Sequence, residues 1–413
     1  MKLSLMGRVA MAMLASLALG LGMSACGGGT IGYMWVLGDQ FNQITGFKID
    51  DFTGNLTQII GSPFTSNGVN PVSIVVKPGG RYVYVINQGT GGSRPTAISS
   101  GKETSGGIAV YSVGGDGVLT FQQSYATQGN VPVWAQFDGS GGFLYVLDKY
   151  SPDPKYIGSS AADPGSITAF SVDGSTGRLT LLTNSAVLDK NGNPTTFFNV
   201  GVAPIMMHTA GSCLYTLDSS DSSVFPYAIS GGGQLSITTP GTIPTLANNV
   251  TSINGNGINI YLTDAGANRI LPYTVGSACN LSTVTGGAVS NLIGTSNPMY
   301  SLIDNSNKYL YVLNQSTVST TGGTTTPFSS ISAFVISPQL TPIPGSPYIV
   351  GANPVCMVED PSGQYMYISN RNDGTVTGEL FNPTTGELST LSRGSTFTAS
   401  GLGNCLAVSG AVN

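Results

Sequence analysis

The sequence predicts an all-β protein, a seven-bladed β-propeller of four-stranded blades, and three observations support this. First, a strand-like phrase such as Tyr82-Val83-Tyr84-Val85-Ile86-Asn87 occurs seven times, at intervals of 46 to 70 residues. Second, the 413 residues include 57 glycines and only 8% charged residues, which suits many short strands joined by turns. Third, the chain ends in a strand-like segment that has no blade of its own. A repeat of this length is typical of propellers, whose small sheets must pack against one another.

Each copy of the repeat predicts four strands in a fixed order. A turn residue, usually proline, opens the first strand, and the recurring phrase forms the second. The third strand ends in an aromatic residue, as in Ile108-Ala109-Val110-Tyr111. A phrase such as Gly117-Val118-Leu119-Thr120 then leads into the fourth strand, because glycine allows the left-handed turn that precedes the leucine. The recurring aromatic residues are predicted to fill the core between neighbouring blades.

The two ends of the chain predict how the ring closes. The N-terminal copy lacks a first strand, and the segment from Leu402 to Val408 supplies one at the other end. Pairing this segment with Tyr33 to Leu37 would complete the seventh blade and remove the exposed sheet edges. The propeller is therefore predicted to occupy residues 31–413.

The first 30 residues predict export and anchoring. Lys2 and Arg8 precede an apolar run that is short for a membrane span, and Met23-Ser24-Ala25-Cys26 follows. This resembles a bacterial lipoprotein signal, which implies a signal peptide over 1–25 and a lipidated tether over 26–30 with the lipid on Cys26. The expected location is the cell envelope, in the outer membrane facing the periplasm or the cell surface. The alternative is an ordinary secretory signal with an incidental cysteine.

Charge and cysteine spacing exclude several functions. Without Lys2 and Arg8, the chain has 13 basic and 20 acidic residues. This acidic balance does not suit binding to phosphate backbones, so we expect no nucleic-acid partner. The chain has no Cys-x-x-Cys phrase, so we predict neither a metal site nor another cofactor. Of the four cysteines after Cys26, Cys356 and Cys405 take equivalent places in adjacent first strands. Cys213 opens a second strand, and Cys279 replaces the turn glycine of the next blade. Three pairings are open to four cysteines, and these positions favour disulfides Cys356–Cys405 and Cys213–Cys279.

The blade motifs resemble those of a known family. The phrase Pro-x-x-Ile/Val-x-x-x-Pro-x-Gly-x-Tyr-x-Tyr-Val-x-Asn, with the aromatic third strand and Gly-x-Leu-Thr, is similar to the lactonase-type seven-bladed propellers. That family includes 6-phosphogluconolactonase. The resemblance extends from about Ile31 to Val408 and implies the same fold, with carboxylic ester hydrolysis of a lactone as a candidate activity.

One departure from the family weakens that candidate. Family members carry Pro-Arg-His at the opening of a first strand, where this chain has Pro204-Ile205-Met206. His208, the single histidine, lies two positions further on and is the candidate general base, with Asp218 or Asp221 to orient it. The alternative is that His208 is a half-buried strand residue with only local hydrogen bonds.

The binding residues are predicted at the end of the ring where second strands end and long loops begin. Rigid scaffolds usually carry specificity on such loops. The candidates are Asp148, Lys149, Tyr150, Asn314, Asn370 and Arg371, although Asp and Asn at strand ends also serve as turn caps. The favoured function is a lipid-anchored envelope module that binds a small organic or carbohydrate ligand, or a protein partner, on this face. The alternatives are a lactone hydrolase with a non-standard site and a structural envelope protein.

Overall fold

A computed structural model describes residues 29–90, 106–156, 164–238, 241–284, 286–321, 324–337 and 339–410. The predicted signal peptide and Cys26 lie outside these residues. The described chain folds into small antiparallel sheets arranged as seven blades, so the predicted fold class is confirmed. None of its helical segments is long and apolar enough to cross a membrane.

The strands are short and follow one another in chain order. Blade 1 begins with β1 (Thr30–Gly38), β2 (Gln43–Asp50), β3 (Leu56–Gln58) and β4 (Phe64–Thr65). Blade 2 contains β5 (Pro71–Val76), β6 (Tyr82–Asn87), β7 (Gly107–Val113) and β8 (Leu119–Tyr125). Blade 3 contains β9 (Asn130–Phe137), β10 (Phe143–Tyr150), β11 (Pro164–Val172), β12 (Leu179–Leu181), a hairpin of β13 (Asn184–Leu188) and β14 (Pro194–Thr195), and β15 (Phe198–Val202).

The remaining blades repeat this order. Blade 4 contains β16 (Pro204–Ala210), β17 (Cys213–Asp218), β18 (Ser223–Ile229), β19 (Leu235–Ile237) and β20 (Ile243–Pro244). Blade 5 contains β21 (Val250–Gly255), β22 (Asn259–Asp264), β23 (Arg269–Val275), a 3-10 turn (Ser277–Cys279), β24 (Leu281–Thr283) and β25 (Val289–Ser290). Blade 6 contains β26 (Thr295–Ile303), β27 (Tyr309–Thr321), β28 (Thr324–Ile336), β29 (Leu340–Pro342) and β30 (Tyr348–Val350). Blade 7 contains β31 (Pro354–Glu359), β32 (Tyr365–Asn370), β33 (Thr375–Phe381), β34 (Leu388–Thr390) and β35 (Thr396–Thr398), and the chain ends with β36 (Gly403–Gly410).

The last strand closes the ring as predicted. In blade 1 the order is β3-β2-β1-β36, with Val36 opposite Leu406 and Met34 opposite Val408. The innermost strands β36, β5, β9, β16, β21, β26 and β31 each contact the next around a central channel. All the innermost strands run in the same direction along the channel. Each end of the ring therefore carries its own set of connections, and the ring has two distinct faces. We call the end where the second strands finish the loop face, and the end with the turns between first and second strands the turn face.

A repeated contact joins most neighbouring blades. The first residue of the recurring second-strand phrase packs its ring on the glycine that precedes the fourth strand of the next blade. A Cβ on Gly117, for example, would lie 2.3 Å from Cδ1 of Tyr33. The same pair recurs as Tyr82/Gly177, Phe143/Gly233, Tyr309/Gly386 and Tyr365/Gly54. Two residues further along the strand, a buried ring donates to that glycine's carbonyl: Trp35 to Gly117 at 3.1 Å, and a tyrosine in the other pairs, as Tyr84 to Gly177 at 2.7 Å. We call this arrangement the aromatic-glycine latch.

Blades 4 and 5 are joined differently. Cys213 and Cys279 occupy the two places of the latch and form a disulfide, which confirms that predicted pairing. The hydroxyl of the following tyrosine, Tyr215, is buried without a hydrogen-bond partner in the described structure. The covalent bond therefore replaces both the ring packing and the hydrogen bond of the other interfaces.

Candidate functional site

The channel is narrowed by a ring of side chains that take equivalent places in the innermost strands. Six of them lie opposite the fifth residue of their second strand, as Ser73 lies opposite Ile86 and Tyr300 opposite Leu313, and the seventh, Cys405, directly precedes Leu406, which lies opposite Val36. The ring consists of Ser73, Trp134, Met206, Ser252, Tyr300, Cys356 and Cys405. Two of these positions carry aromatic rings, so the channel is filled more on those sides.

A cavity of about 490 Å³ lies between this ring and the turn face. This volume falls within the range of about 300–1,000 Å³ that is usual for small-ligand sites. Trp134, Tyr300, Cys356 and Cys405 form part of its wall, and Glu359 lies near its mouth. The cavity is therefore the candidate site in the described part of the chain.

Trp134 has an unused hydrogen-bond donor. Its indole ring packs against the clusters of buried residues in blades 3, 4 and 5, while the side chain also borders the cavity. The ring nitrogen Nε1 is buried and has no hydrogen-bond partner among the described residues. An unsatisfied buried N–H costs about 1–3 kcal/mol, so a ligand oxygen that accepted from it would be favoured.

The charge of the cavity is acidic or neutral. Among the described residues that line it, none is Lys, Arg or His, whereas Asp138 and Glu359 contribute carboxyl groups. Oε2 of Glu359 accepts a hydrogen bond from the Asn305 backbone N–H at 2.6 Å. Burial raises the pKa of Glu359 to about 7, and the nearby carboxylates Asp304 and Asp360 act in the same direction. Glu359 can therefore exchange a proton near neutral pH.

Two thiols meet in the cavity wall, where a disulfide was predicted. Cys356 and Cys405 do take equivalent places in adjacent innermost strands, but in the described structure both are free and buried, so the predicted pairing is wrong. Each sulfur lies 3.8 Å from the same backbone oxygen, that of Leu406, and Cys356 also accepts from the Leu406 N–H at 3.5 Å. The two thiols also hydrogen-bond to each other, and Cys356 to the Tyr300 side chain, while burial raises the pKa of the Tyr300 hydroxyl.

The predicted catalytic group of His208 and Asp218 is not assembled. His208 lies opposite Tyr215, whereas Asp218 lies opposite Pro204, three residues further along β17. At about 3.4 Å per residue, the two side chains start about 10 Å apart. A ring N–H of His208 instead bonds to the Gly255 carbonyl, and burial lowers the histidine pKa to about 4. Asp221 influences Asp218 only as a nearby negative charge.

The polar residues that end the second strands serve the fold. Asp148, Asn314 and Asn370 are fully buried, so a ligand on the loop face cannot reach them. Asp148 accepts from the Gly129 N–H at 3.3 Å and from the Thr168 hydroxyl at 2.9 Å. Such bonds attach the incoming loop of each blade to its sheet. Burial raises the pKa of Asp148 to about 7.

The remaining predicted binding residues are engaged in contacts of their own. The Lys149 ammonium lies 5.6 Å from the centre of the Tyr150 ring. Arg371 Nη1 lies 2.5 Å from Asp39 Oδ2, which links blade 7 to blade 1 on the loop face. The prediction of a ligand site among these six residues therefore has no support from their geometry.

No metal centre is formed by the described residues, since no three His, Cys, Asp or Glu side chains among them come together. The residues that sequence reasoning missed are Trp134, Tyr300 and Glu359. A signal was present for the first two. Aligning the first strands places an aromatic residue in two blades where Ser73 and Ser252 stand in others.

The fold and the closed ring define the class of this protein as a seven-bladed β-propeller with an acidic, aromatic-walled channel cavity. Residues 30–190 match the family described as Lactonase, 7-bladed beta-propeller. The resemblance predicted from the blade motifs is thereby confirmed, and the matched stretch covers strands β1 to β13.

Solved structures share the fold over most of the chain. The periplasmic gluconolactonase PpgL of Pseudomonas aeruginosa aligns with a TM-score of 0.66 at 15% identity, over 92% of this chain and 100% of that one. A candidate 6-phosphogluconolactonase from Bacteroides fragilis aligns with a TM-score of 0.65 at 15% identity, over 92% and 98% of the two chains. A comparison with curated proteins finds no significant match. At this identity the likeness establishes the fold alone.

Proposed function

We propose that this protein is an exported, lipid-anchored propeller that binds an uncharged small organic molecule, such as a sugar or a lactone, in the channel cavity. The buried, unpartnered Nε1–H of Trp134 is the observation that carries the proposal. The Trp134 side chain borders a cavity of suitable size, and a carbonyl, ether or hydroxyl oxygen that reached its Nε1–H would satisfy that donor. The faces of the Trp134 and Tyr300 rings offer apolar surface for the C–H groups of a ring-shaped ligand.

The charge of the cavity favours a neutral ligand over an anionic one. Enzymes that act on phosphorylated substrates place cations and donors around the phosphate. The described lining offers two carboxyl groups and no cationic side chain, so a phosphate or carboxylate would meet repulsion. A 6-phosphorylated sugar lactone is therefore a poor ligand for this cavity.

Export and anchoring rest on the lipoprotein-like signal that ends at Cys26. The disulfide Cys213–Cys279 supports export, because such bonds persist in oxidising compartments. Cys26→Ser is expected to release the protein from the membrane fraction or to leave it unprocessed. A wild-type protein that partitions into the aqueous phase on detergent extraction would contradict the anchor.

Tryptophan fluorescence tests the binding site directly. The chain has two tryptophans, and Trp35 is fully buried while Trp134 borders the cavity. Neutral monosaccharides and lactones that enter the cavity should change the emission of Trp134, and 6-phosphogluconate should not. Calorimetry then compares Trp134→Phe, which keeps a ring but lacks the N–H, with Phe121→Ala at an exposed aromatic on β8. Loss of one hydrogen bond worth about 1–2 kcal/mol predicts affinity reduced about 5- to 30-fold in the first and unchanged in the second. Tighter binding of the phosphorylated compound would refute the proposal.

A second candidate, lactone hydrolysis, is favoured by Glu359. With a pKa of about 7, its carboxylate could take a proton from water while the water oxygen attacks the lactone carbonyl carbon. The ring C–O bond would then break, and the proton would return to the departing alkoxide. Trp134 Nε1–H could donate to the carbonyl oxygen as negative charge develops.

A matched pair of glutamates separates binding from hydrolysis. Glu379 is also buried in blade 7 with a pKa raised to about 7 by burial, but it does not line the cavity. If the protein is a hydrolase, Glu359→Gln should lower the rate at least 100-fold and Glu379→Gln should leave it unchanged. If the protein is a binding module, wild type and both variants should hydrolyse lactones at the uncatalysed rate.

A further inference from the structure

The described chain begins and ends on the turn face. Thr30 lies opposite Asp50, where β2 ends at the turn to β3, and Gly410 lies opposite Gly32 at the end of β36. The mouth of the cavity is on the same face, bordered by Pro78, Asp138 and other residues of the turns there. The start of the chain and the cavity mouth therefore share one end of the ring.

Gly29 is held against this face by the backbone. Its carbonyl oxygen accepts from the Asp51 N–H at 3.1 Å, and Asp51 belongs to a turn of blade 1. Cys26 lies three residues before Gly29. Because an extended chain spans at most about 3.6 Å per residue, a lipid on Cys26 would lie within about 11 Å of this turn.

We propose that the turn face rests on the lipid bilayer, so that the cavity mouth opens toward the headgroups and the loop face points away. This inference rests on the proposed lipid anchor at Cys26. A tether of three residues is too short to let a ring of this size turn its other face to the membrane. A ligand would then reach the cavity from the water layer beside the membrane surface.

Exposed apolar side chains occur on the turns of this face, as others such as Leu246 do on the loop face, so the short tether is what sets the orientation. Phe52, directly after Asp51, is 81% exposed, and Ile258, in a turn of blade 5, is 65% exposed. They project from different sides of the ring at the same end, so both can enter the interfacial region together. Charges of both signs, such as Lys77 and Asp116, occur at this end of the molecule, so the face suits a zwitterionic surface.

Two matched tryptophan substitutions test the orientation. In lipidated protein carrying Trp134→Phe, one variant adds Phe52→Trp on the turn face. The other adds Leu246→Trp, at a residue that is 82% exposed and precedes β21 on the loop face. Trp35 contributes equally to both. In phosphatidylcholine vesicles that contain brominated lipid, quenching should be at least three-fold stronger for Phe52→Trp.

Each outcome has a defined meaning. Mass spectrometry and flotation with the vesicles first establish that both variants carry the lipid and are bound. Protein that floats but is quenched equally at both positions, or more strongly at the loop-face position, overturns the orientation and leaves the anchor intact. Protein that is neither lipidated nor floats refutes the anchor, and the orientation with it. Ligand binding in the cavity is measured separately and is unaffected by either result.

Discussion

Removal of the Cys213–Cys279 disulfide should destabilise the protein by about 4 kcal/mol. The bond closes a loop with a sequence separation of 66 residues. In the chain-entropy treatment, a loop of this length restricts the unfolded chain by about 4 kcal/mol at 25 °C. With an unfolding entropy of about 2.1 cal/mol/K per residue over about 380 residues, this corresponds to a fall in Tm of about 5 °C.

The aromatic-glycine latch provides the comparison. Cys213→Ser/Cys279→Ser removes the bond and places nothing between blades 4 and 5. Cys213→Tyr/Cys279→Gly also removes the bond, but it restores the ring packing found at five other interfaces and offers the buried Tyr215 hydroxyl a carbonyl partner. Burial of a ring and one hydrogen bond together predict a recovery of about 2–3 kcal/mol relative to the serine variant.

Thermal and urea unfolding test both expectations. They are measured on wild type, the double serine variant and the Tyr/Gly latch variant, and wild type is also measured under reducing conditions. Reduced wild type and the serine variant should unfold at nearly the same temperature, below oxidised wild type, with the latch variant between them. A difference below 1 kcal/mol between oxidised and reduced wild type would refute the entropic reasoning. A latch variant no more stable than the serine variant would show that the cysteines do not stand in for the latch.

Two further predictions concern the turns and the buried carboxyl groups. Gly117→Ala should cost about 2–5 kcal/mol, because its φ is +84° and the new Cβ would lie 2.3 Å from Tyr33, whereas Gly79→Ala, with φ +95° in open space, should cost only about 1–2 kcal/mol; equal losses in calorimetry would contradict the latch. Burial and the charge of Asp221 raise the pKa of Asp218 to about 8, so its stabilising protonation is complete below pH 3.8 and is lost as the pH rises through 8. Wild type should therefore lose on the order of 3 kcal/mol more than Asp218→Asn between pH 5 and pH 8.5 in urea unfolding, and parallel pH profiles would exclude this role.

The fold could be predicted from the sequence because its determinants are repeated. Every blade carries the same second-strand phrase, and each ring on a glycine is a local signal for a contact between distant residues. Position in the repeat also predicted the Cys213–Cys279 bond, since one cysteine opens a second strand and the other replaces the turn glycine of the next blade at the same end of the ring. The closure of blade 1 could be predicted because the first copy of the repeat lacks one strand and the last segment of the repeat region supplies one extra.

The site was harder to predict because it depends on how deeply each side chain is buried and on which way the side chain points. Position in the repeat correctly made Cys356 and Cys405 neighbours, but it could not show that Leu406 would hold both sulfurs through hydrogen bonds. It also placed Asp148 at a strand end without showing that the carboxylate turns into the protein. Trp134 escaped notice because an aromatic residue in a strand usually indicates core packing, and only the assembled channel shows the unpartnered nitrogen.

The way the ring closes has a consequence for how the protein is made. Strand β1 is synthesised before the other strands of the ring, yet its inner partner β36 is the last strand of the ring to be made. Until then the first blade keeps an open edge, and no intermediate length of chain can form the complete circle. A product that stops before β36 would carry six whole blades and an open edge on blade 1, which can pair with other chains. The ring therefore closes only when its last strand is present.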